Sequence, residues 1–218
     1  MKKTSRIIII NPNSDLAMTK AIQATAENFV GKRLEVLSLP TKGAPLFIET
    51  REDEALAALG MIRLVRENDT KCDAFIIACH CDPNLDIIKE ITEKPVIGIG
   101  EASMRLACML GHRFAIIQTT KESVPIKEAL VRKYQLEDFL ASVRAPEVGI
   151  AESPDEEKYL SAARAAMAED RADVIILGCA GLTGLDNRMQ DELGVPVLDG
   201  IVCALILASA ILSRRLFT

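Results

Sequence analysis

Short apolar runs rich in Ile and Val alternate with longer amphipathic stretches along the whole chain. "RIIIIN" from Arg6 leads into "SDLAMTKAIQATAENFV", and "RLEVLSLP" from Arg33 precedes a loop and then "EDEALAALGMIRLVREN". "DAFIIAC" from Asp73 is followed by "PNLDIIKEIT", and "KPVIGIG" from Lys94 by "EASMRLACMLG". The apolar runs lack a clean two-residue alternation. Parallel strands covered on both faces read this way, because both rows of side chains must then be apolar. Helix signals punctuate the pattern: Ser153-Pro154-Asp155-Glu156 offers a cap, a proline in the first turn and a glutamate three on, and Gly194 suits a helix stop. "NPNS" after the first run predicts a strand-to-helix turn capped by Asn13 or Ser14. The pattern predicts an α/β protein on doubly wound parallel sheets.

The pattern also repeats. "CDAFIIACHCDPNLD" from Cys72 resembles "RADVIILGCAGLTGLD" from Arg171, aligning Asp73 with Asp173, Ala78 with Gly178 and Cys79 with Cys179 at an offset of 100. "KPVIGIGEASMRLACML" echoes "VPVLDGIVCALILASAIL", with Pro95 against Pro196 at an offset of 101. "RIIIINPNS" echoes "RFAIIQTTK", with Arg6 against Arg113 at an offset of 107. One such block would follow from any two βα units, whereas three in the same order, with drift confined to loops, argue for duplication. The expected product is two pseudo-symmetric doubly wound lobes, residues 1–98 plus 201–218 and residues 99–200, with the active site in the cleft between them. Cys79 and Cys179 fall at the carboxyl ends of equivalent strands, where sheets of this kind bind ligands. Each lobe would then offer one thiol to whatever occupies the cleft.

Composition narrows the class. The 218 residues suffice for one large domain or two lobes of about 100 each. A net charge of -5 without long blocks and a scarcity of aromatic residues argue against nucleic acid as a partner. The apolar start is only four residues long before Asn-Pro, too short for a signal peptide. "IVCALILASAILSRR" falls short of a membrane span and reads as a buried helix. The expectation is a cytoplasmic protein with no membrane partner, whose six cysteines are thiols. Apolar helices such as "EASMRLACMLG" suggest a homo-oligomer.

Cys79-His80-Cys81 raises metal binding as a first alternative. Paired ligands usually want two to four residues between them and a second such pair elsewhere, and the chain has neither, so no metal is expected. No Gly-x-Gly-x-x-Gly follows a strand and no Walker-type Gly-Lys-Ser/Thr occurs, so no nucleotide cofactor is expected. Cys72, Cys108 and Cys203 lie in apolar or helical contexts and read as packing residues. A matched pair of thiols suits a different chemistry. Inverting a carbon beside a carbonyl needs a base on one face and an acid on the other at the same moment. A thiol, with pKa about 8.5, moves toward neutrality near a helix N-terminus, and Asp82-Pro83 and Gly181-Leu182-Thr183 are turns of that kind. Groups titrating near the working pH are what general acid–base catalysis requires.

"INPNS", "IIACHCDPNLD", "VIGIGEAS", "RFAIIQTT", "VIILGCAG" and "VPVLDG" resemble the aspartate/glutamate/hydantoin racemase superfamily, closest to its hydantoin and allantoin branch. The resemblance covers nearly the whole chain and is most specific in the two cysteine blocks. It implies a cofactor-independent racemase of a small cyclic ureide, a 5-substituted hydantoin or allantoin. By that analogy Cys79 and Cys179 are the two bases, and Asn13, Ile48, His80, Cys81, Thr119, Thr120, Ala180 and Gly181 line the substrate. Two departures stand out. The hydantoin branch usually has Cys-Phe-Gly or Cys-Phe-Ser before Asp-Pro-Gly, where this chain has His80 and Cys81 before Asp82-Pro83-Asn84. The Asn-Thr and Thr-His pairs that follow the cysteines in amino-acid racemases of the superfamily are absent. Alternatives are an amino-acid racemase, an isomerase or decarboxylase of the same fold, and a two-lobed ligand-binding module.

Overall fold

The structure, a computed structural model, describes residues 4–146 and 155–214. The chain runs through β1 (Arg6–Asn11), α1 (Leu16–Val30), β2 (Glu35–Pro40), α2 (Arg51–Asn68), β3 (Ala74–Ile77), α3 (Leu85–Glu90), β4 (Val96–Gly98) and α4 (Ile99–Leu110). It then repeats the order with β5 (Phe114–Ile117), α5 (Val124–Lys133), β6 (Leu140–Arg144), α6 (Glu156–Asp170), β7 (Val174–Leu177), α7 (Asp186–Leu193), β8 (Val197–Asp199) and α8 (Gly200–Arg214). Two four-stranded sheets form, in the orders β2-β1-β3-β4 and β6-β5-β7-β8. Every pairing in both is parallel. The chain divides into two compact lobes, Met1–Ile99 with Ile201–Thr218, and Gly100–Gly200, so the boundaries fall where α4 and α8 begin.

The missing alternation in the strands now has its cause. Ile7 to Ile10 on β1 and Ala74 to Ile77 on β3 are all 0% exposed, so neither face of these central strands meets water. In the first lobe, one face of the sheet (Ile8, Ile10, Phe75, Ile77) packs against Ala57, Met61 and Val65 of α2 and Leu85 and Ile88 of α3. In the second, Ala115, Ile117, Ile175 and Leu177 meet Leu160, Ala163 and Ala166 of α6. The opposite face of that sheet (Phe114, Ile116, Val174, Ile176) meets Met104 and Ala107 of α4 and Leu130 and Val131 of α5. Burying such side chains contributes roughly 1.5–3 kcal/mol each, which makes the two sheets the main source of stability.

The repeated sequence blocks perform the same local work. Asp73 N donates to the Arg6 carbonyl at 2.7 Å while its carboxylate accepts from Arg6 N at 2.8 Å. Asp173 N likewise donates to the Arg113 carbonyl at 2.9 Å and its carboxylate accepts from Arg113 N at 2.9 Å. Each aspartate thus clips the start of its strand to the neighbouring strand. Burial alone would raise the pKa of Asp173, but the N–H groups of His112 and Arg113 outweigh it and hold the carboxyl below its ordinary value.

Some local expectations shift. α1 is capped by Asp15, whose carboxylate accepts from Ala17 N at 2.7 Å, rather than by Asn13 or Ser14. Asn13 instead accepts from Asp15 N at 3.0 Å and shapes the turn that precedes the cap. α6 starts at Glu156 with Asp155 as its cap, later than the cap expected at Ser153, which with Pro154 lies outside the described residues. Gly194 does end α7, in the left-handed conformation at φ 69°. The apolar run "VIGIG" gives three strand residues and then turns directly into α4, because β4 is an edge strand paired only along Phe75–Ile77. In α8, Ile201, Ala204, Leu205 and Ala208 form a buried stripe, whereas Ile206 is exposed. Among the described residues no helix is long and apolar enough to cross a membrane.

Candidate active site

In each lobe the central pair of strands extends one bond past its regular end. Ala78 N donates to the Ile10 carbonyl and Gly178 N to the Ile117 carbonyl, both at 2.8 Å. The next residue is the cysteine, placed at the carboxyl rim of the sheet. Each cysteine then opens a tight turn, with its carbonyl accepting from Asp82 N at 2.9 Å in one lobe and from Leu182 N at 3.0 Å in the other. Burial follows the same sequence position by position from 72 to 80 and from 172 to 180: a sealed strand, then a partly exposed cysteine, then a buried residue. Cys179 Sγ also accepts a hydrogen bond from Gly181 N at 3.4 Å, a donor well suited to a thiolate.

The six cysteines are all thiols, but not alike. Burial pushes Cys72 up to about 11 and raises Cys108 as well, and Cys203 is buried. Cys108 is partly exposed on α4 and rests against the second-lobe core, whereas Cys79, Cys81 and Cys179, also partly exposed, stand at turns. His80 is buried beside Cys79. The turn after Cys79 carries two residues in the left-handed region, Asp82 at φ 47° and Asn84 at φ 58°. Asn84 secures it by donating its side-chain amide to the Glu54 carbonyl at 2.7 Å.

The residues expected to line a substrate fall into one group per lobe. Asn13, Ile48, Cys79, His80 and Cys81 lie on loops leaving the carboxyl ends of the adjacent strands β1, β2 and β3. Asn13 is buried, its amide donating to Met18 Sδ at 3.3 Å, and Ile48 rests against the first-lobe core. Thr119, Thr120, Cys179, Ala180 and Gly181 lie on the loops after β5 and β7, adjacent strands of the second sheet. Thr120 and Ala180 are buried, and Gly181 is exposed. Among the described residues no group of three or more His, Cys, Asp or Glu gathers as a metal site.

The buried polar residues at these rims also include Asp82, Gln118 and Asp199, to which the sequence assigns no place in the substrate lining. Asp199, at the end of β8, accepts from Thr183 Oγ1 at 2.5 Å and Gly184 N at 3.0 Å, which ties the turn after Cys179 to the edge strand. In the first lobe the carboxylate comes from the other side of the gap. Asp82, within the cysteine turn, lies against Gly98 at the end of β4, where an added Cβ would stand 2.3 Å from Oδ1. Gly98 aligns with Asp199 in the repeat, so a carboxylate lies at this position in both lobes, from the turn in one and from the edge strand in the other. Burial, and then the charge of Asp199, raises the pKa of Asp186.

The family model for Asp/Glu/Hydantoin racemase matches residues 7–208, nearly the full chain and both cysteine turns. The chain belongs to this family. It is a racemase of that family, and its two parallel-sheet lobes are the family's architecture. A hydantoin racemase from Rhizobium meliloti is 38% identical over 212 residues, covering 94% of this chain and 88% of that protein. One from Pseudomonas sp. (strain NS671) is 35% identical over 212 residues, covering 94% and 85%. The solved structure of an allantoin racemase from Klebsiella pneumoniae superimposes with a TM-score of 0.93 at 32% identity, covering 99% of this chain and 90% of that one.

Proposed function

We propose that this racemase inverts a cyclic ureide, a 5-substituted hydantoin or allantoin, with Cys79 and Cys179 as its two bases and no cofactor. The observation that carries the reading is the equivalence of the two cysteine turns: same strand position, same i to i+3 turn and same burial sequence. One thiolate takes the proton from the stereocentre, breaking C–H and forming S–H, and leaves an enolate delocalised over the ring. The other thiol delivers its proton to the opposite face and becomes the thiolate for the reverse reaction. Turn amides such as Gly181 N–H, which already donates to sulfur, supply preorganised stabilisation of developing negative charge.

A ring substrate is favoured over a free amino acid by the chemistry of the lining. Asn13, Ile48, His80, Cys81, Thr119, Thr120, Ala180 and Gly181 include no Arg, Lys, Asp or Glu. A zwitterionic amino acid calls for charge-assisted partners, whereas a neutral ureide needs only hydrogen bonds and an apolar wall. The proton beside a ureide carbonyl is also the more acidic, within reach of a thiolate. The 35–38% identity to hydantoin racemases supports the same substrate class. Self-association belongs to the same proposal, supported by the exposed Leu16, Leu46, Leu56 and Leu59 of the first lobe.

The test is a panel of single-enantiomer 5-alkylhydantoins, allantoin, aspartate and glutamate in deuterium oxide, read by polarimetry and α-deuterium incorporation. Inversion with deuteration of a ureide and none of the amino acids is the expected result. Turnover confined to aspartate or glutamate overturns the substrate assignment, and tight ureide binding without deuteration overturns turnover altogether.

A further inference from the structure

We propose that Gln118 is a positioning residue for the Cys179 half of the reaction, bracing the end of β7 against the Thr119–Thr120 loop. The proposal rests on the two-thiol reading and adds a residue that sets the geometry of one thiol only. Gln118 follows β5 and is 2% exposed. Its Nε2 donates to the carbonyl of Gly178, the residue before Cys179, at 2.7 Å. Its Oε1 and the Thr120 carbonyl are alternative acceptors for the one hydroxyl proton of Ser123, at 3.2 and 2.7 Å from Oγ. One side chain therefore links the backbone at Cys179 to the loop carrying Thr119 and Thr120.

Gly178 is built around this contact. A Cβ there would stand 2.2 Å from Gln118 Nε2 and 2.8 Å from Ile116 Cγ2, so any side chain at 178 expels the amide that holds its carbonyl. The first lobe is arranged differently at the equivalent places. Asn11 takes the place of Gln118 and Ala78 that of Gly178. The shorter Asn11 amide turns to its own loop, donating to Thr19 Oγ1 at 3.0 Å and the Asp15 carbonyl at 3.4 Å. A long amide facing a glycine and a short amide beside an alanine make two half-sites that the duplication did not keep identical. The brace belongs to the Cys179 half.

The buried bond explains why the consequence should be functional. An amide in this setting fixes direction, and removing it leaves the Gly178 carbonyl without its partner one residue from the sulfur. A displacement of about 1 Å in a reacting group costs on the order of a hundredfold in rate. The defect should therefore be one-sided. Proton removal by Cys79 is left intact, whereas every step that passes a proton through Cys179 slows.

The experiment compares Gln118→Met and Gly178→Ala with Cys79→Ser, Cys179→Ser and the unaltered enzyme on each enantiomer of a ureide that it inverts. α-Deuterium exchange and inversion are measured separately, with thermal unfolding as the control for folding. The serine variants identify which enantiomer each thiol deprotonates. For the enantiomer handled by Cys79, both Gln118→Met and Gly178→Ala should keep exchange within about threefold while inversion falls at least about tenfold. For the other enantiomer, exchange and inversion should fall together. Equal loss of exchange for both enantiomers, or unchanged inversion in folded Gln118→Met, overturns the brace. Full inversion in both serine variants instead overturns the two-thiol reading, a distinct outcome that takes this inference with it.

Discussion

Cys72 and Cys79 share one strand segment, yet they are different chemical groups. Cys72 is sealed in the first-lobe core and its thiol is pushed up to about 11 by burial, so it stays protonated throughout the working range. Cys79 stands where the sheet ends and the backbone turns. Cys72→Ala should therefore leave racemisation unchanged and cost about 1 kcal/mol of stability through the small cavity, measured by denaturant unfolding. The sign of its pH effect follows from the raised pKa. The folded state favours the neutral thiol, so this group's contribution is complete below the ordinary thiol range and declines as pH rises toward 11. Gly98 makes the opposite case. Gly98→Ala drives a methyl into the buried Asp82 carboxylate and should lower both stability, by about 2 kcal/mol or more, and turnover. An unchanged melting temperature and rate would contradict the packing described for that turn.

At the level of elements, the strands were legible because burial on both faces leaves uninterrupted Ile and Val, and the equivalent placement of Cys79 and Cys179 was legible because the repeat aligned them. Helix starts were less so. "NPNSD" offers several side chains able to cap, and only the fold decides that Asp15 does so while Asn13 shapes the turn. Gln118 and Asp199 were invisible for a related reason: each acts on a residue distant in sequence, and a glutamine or aspartate at a strand end has no periodic signature. Edge strand β6 depends on such distant contacts too. Arg144 binds Asp170 through two hydrogen bonds, at 2.6 and 2.9 Å, and Glu169 at 2.7 Å, which fastens the strand to the end of α6. The guanidinium holds the Asp170 carboxyl below its ordinary value. Stability from this pair is present above the unfolded pKa of about 3.9 and is lost as pH falls through the lower folded value. Arg144→Ala should cost about 1 kcal/mol at pH 7 and less in acid. An equal loss at pH 7 and pH 2.5 would contradict the pairing.

Across the whole molecule, duplication supplies two parallel sheets with one strand order, and divergence then differentiates them. The carboxylate at each cysteine turn comes from Asp82 in one lobe and from Asp199 in the other, and the amide brace is present beside Cys179. In the proposed reaction each base would meet a different side of the substrate, so the two need not be alike. The first lobe also exposes Leu56 and Leu59 one turn apart on α2, with Leu46 on the preceding loop, which Ser14 N ties to the start of α1 through the Pro45 carbonyl at 3.0 Å. That surface should be covered by a second copy. Sedimentation equilibrium should return a multiple of 23.7 kDa, and Leu56→Lys with Leu59→Lys should lower it, whereas a monomeric mass contradicts the assignment. The central claim is tested most directly by following α-deuterium exchange of both enantiomers of one ureide in Cys79→Ser and Cys179→Ser. Each variant should lose inversion by at least about a hundredfold while exchanging only one enantiomer, the opposite one in each case. Inversion preserved in either variant, or exchange of the same enantiomer in both, would contradict a reaction run by these two thiols.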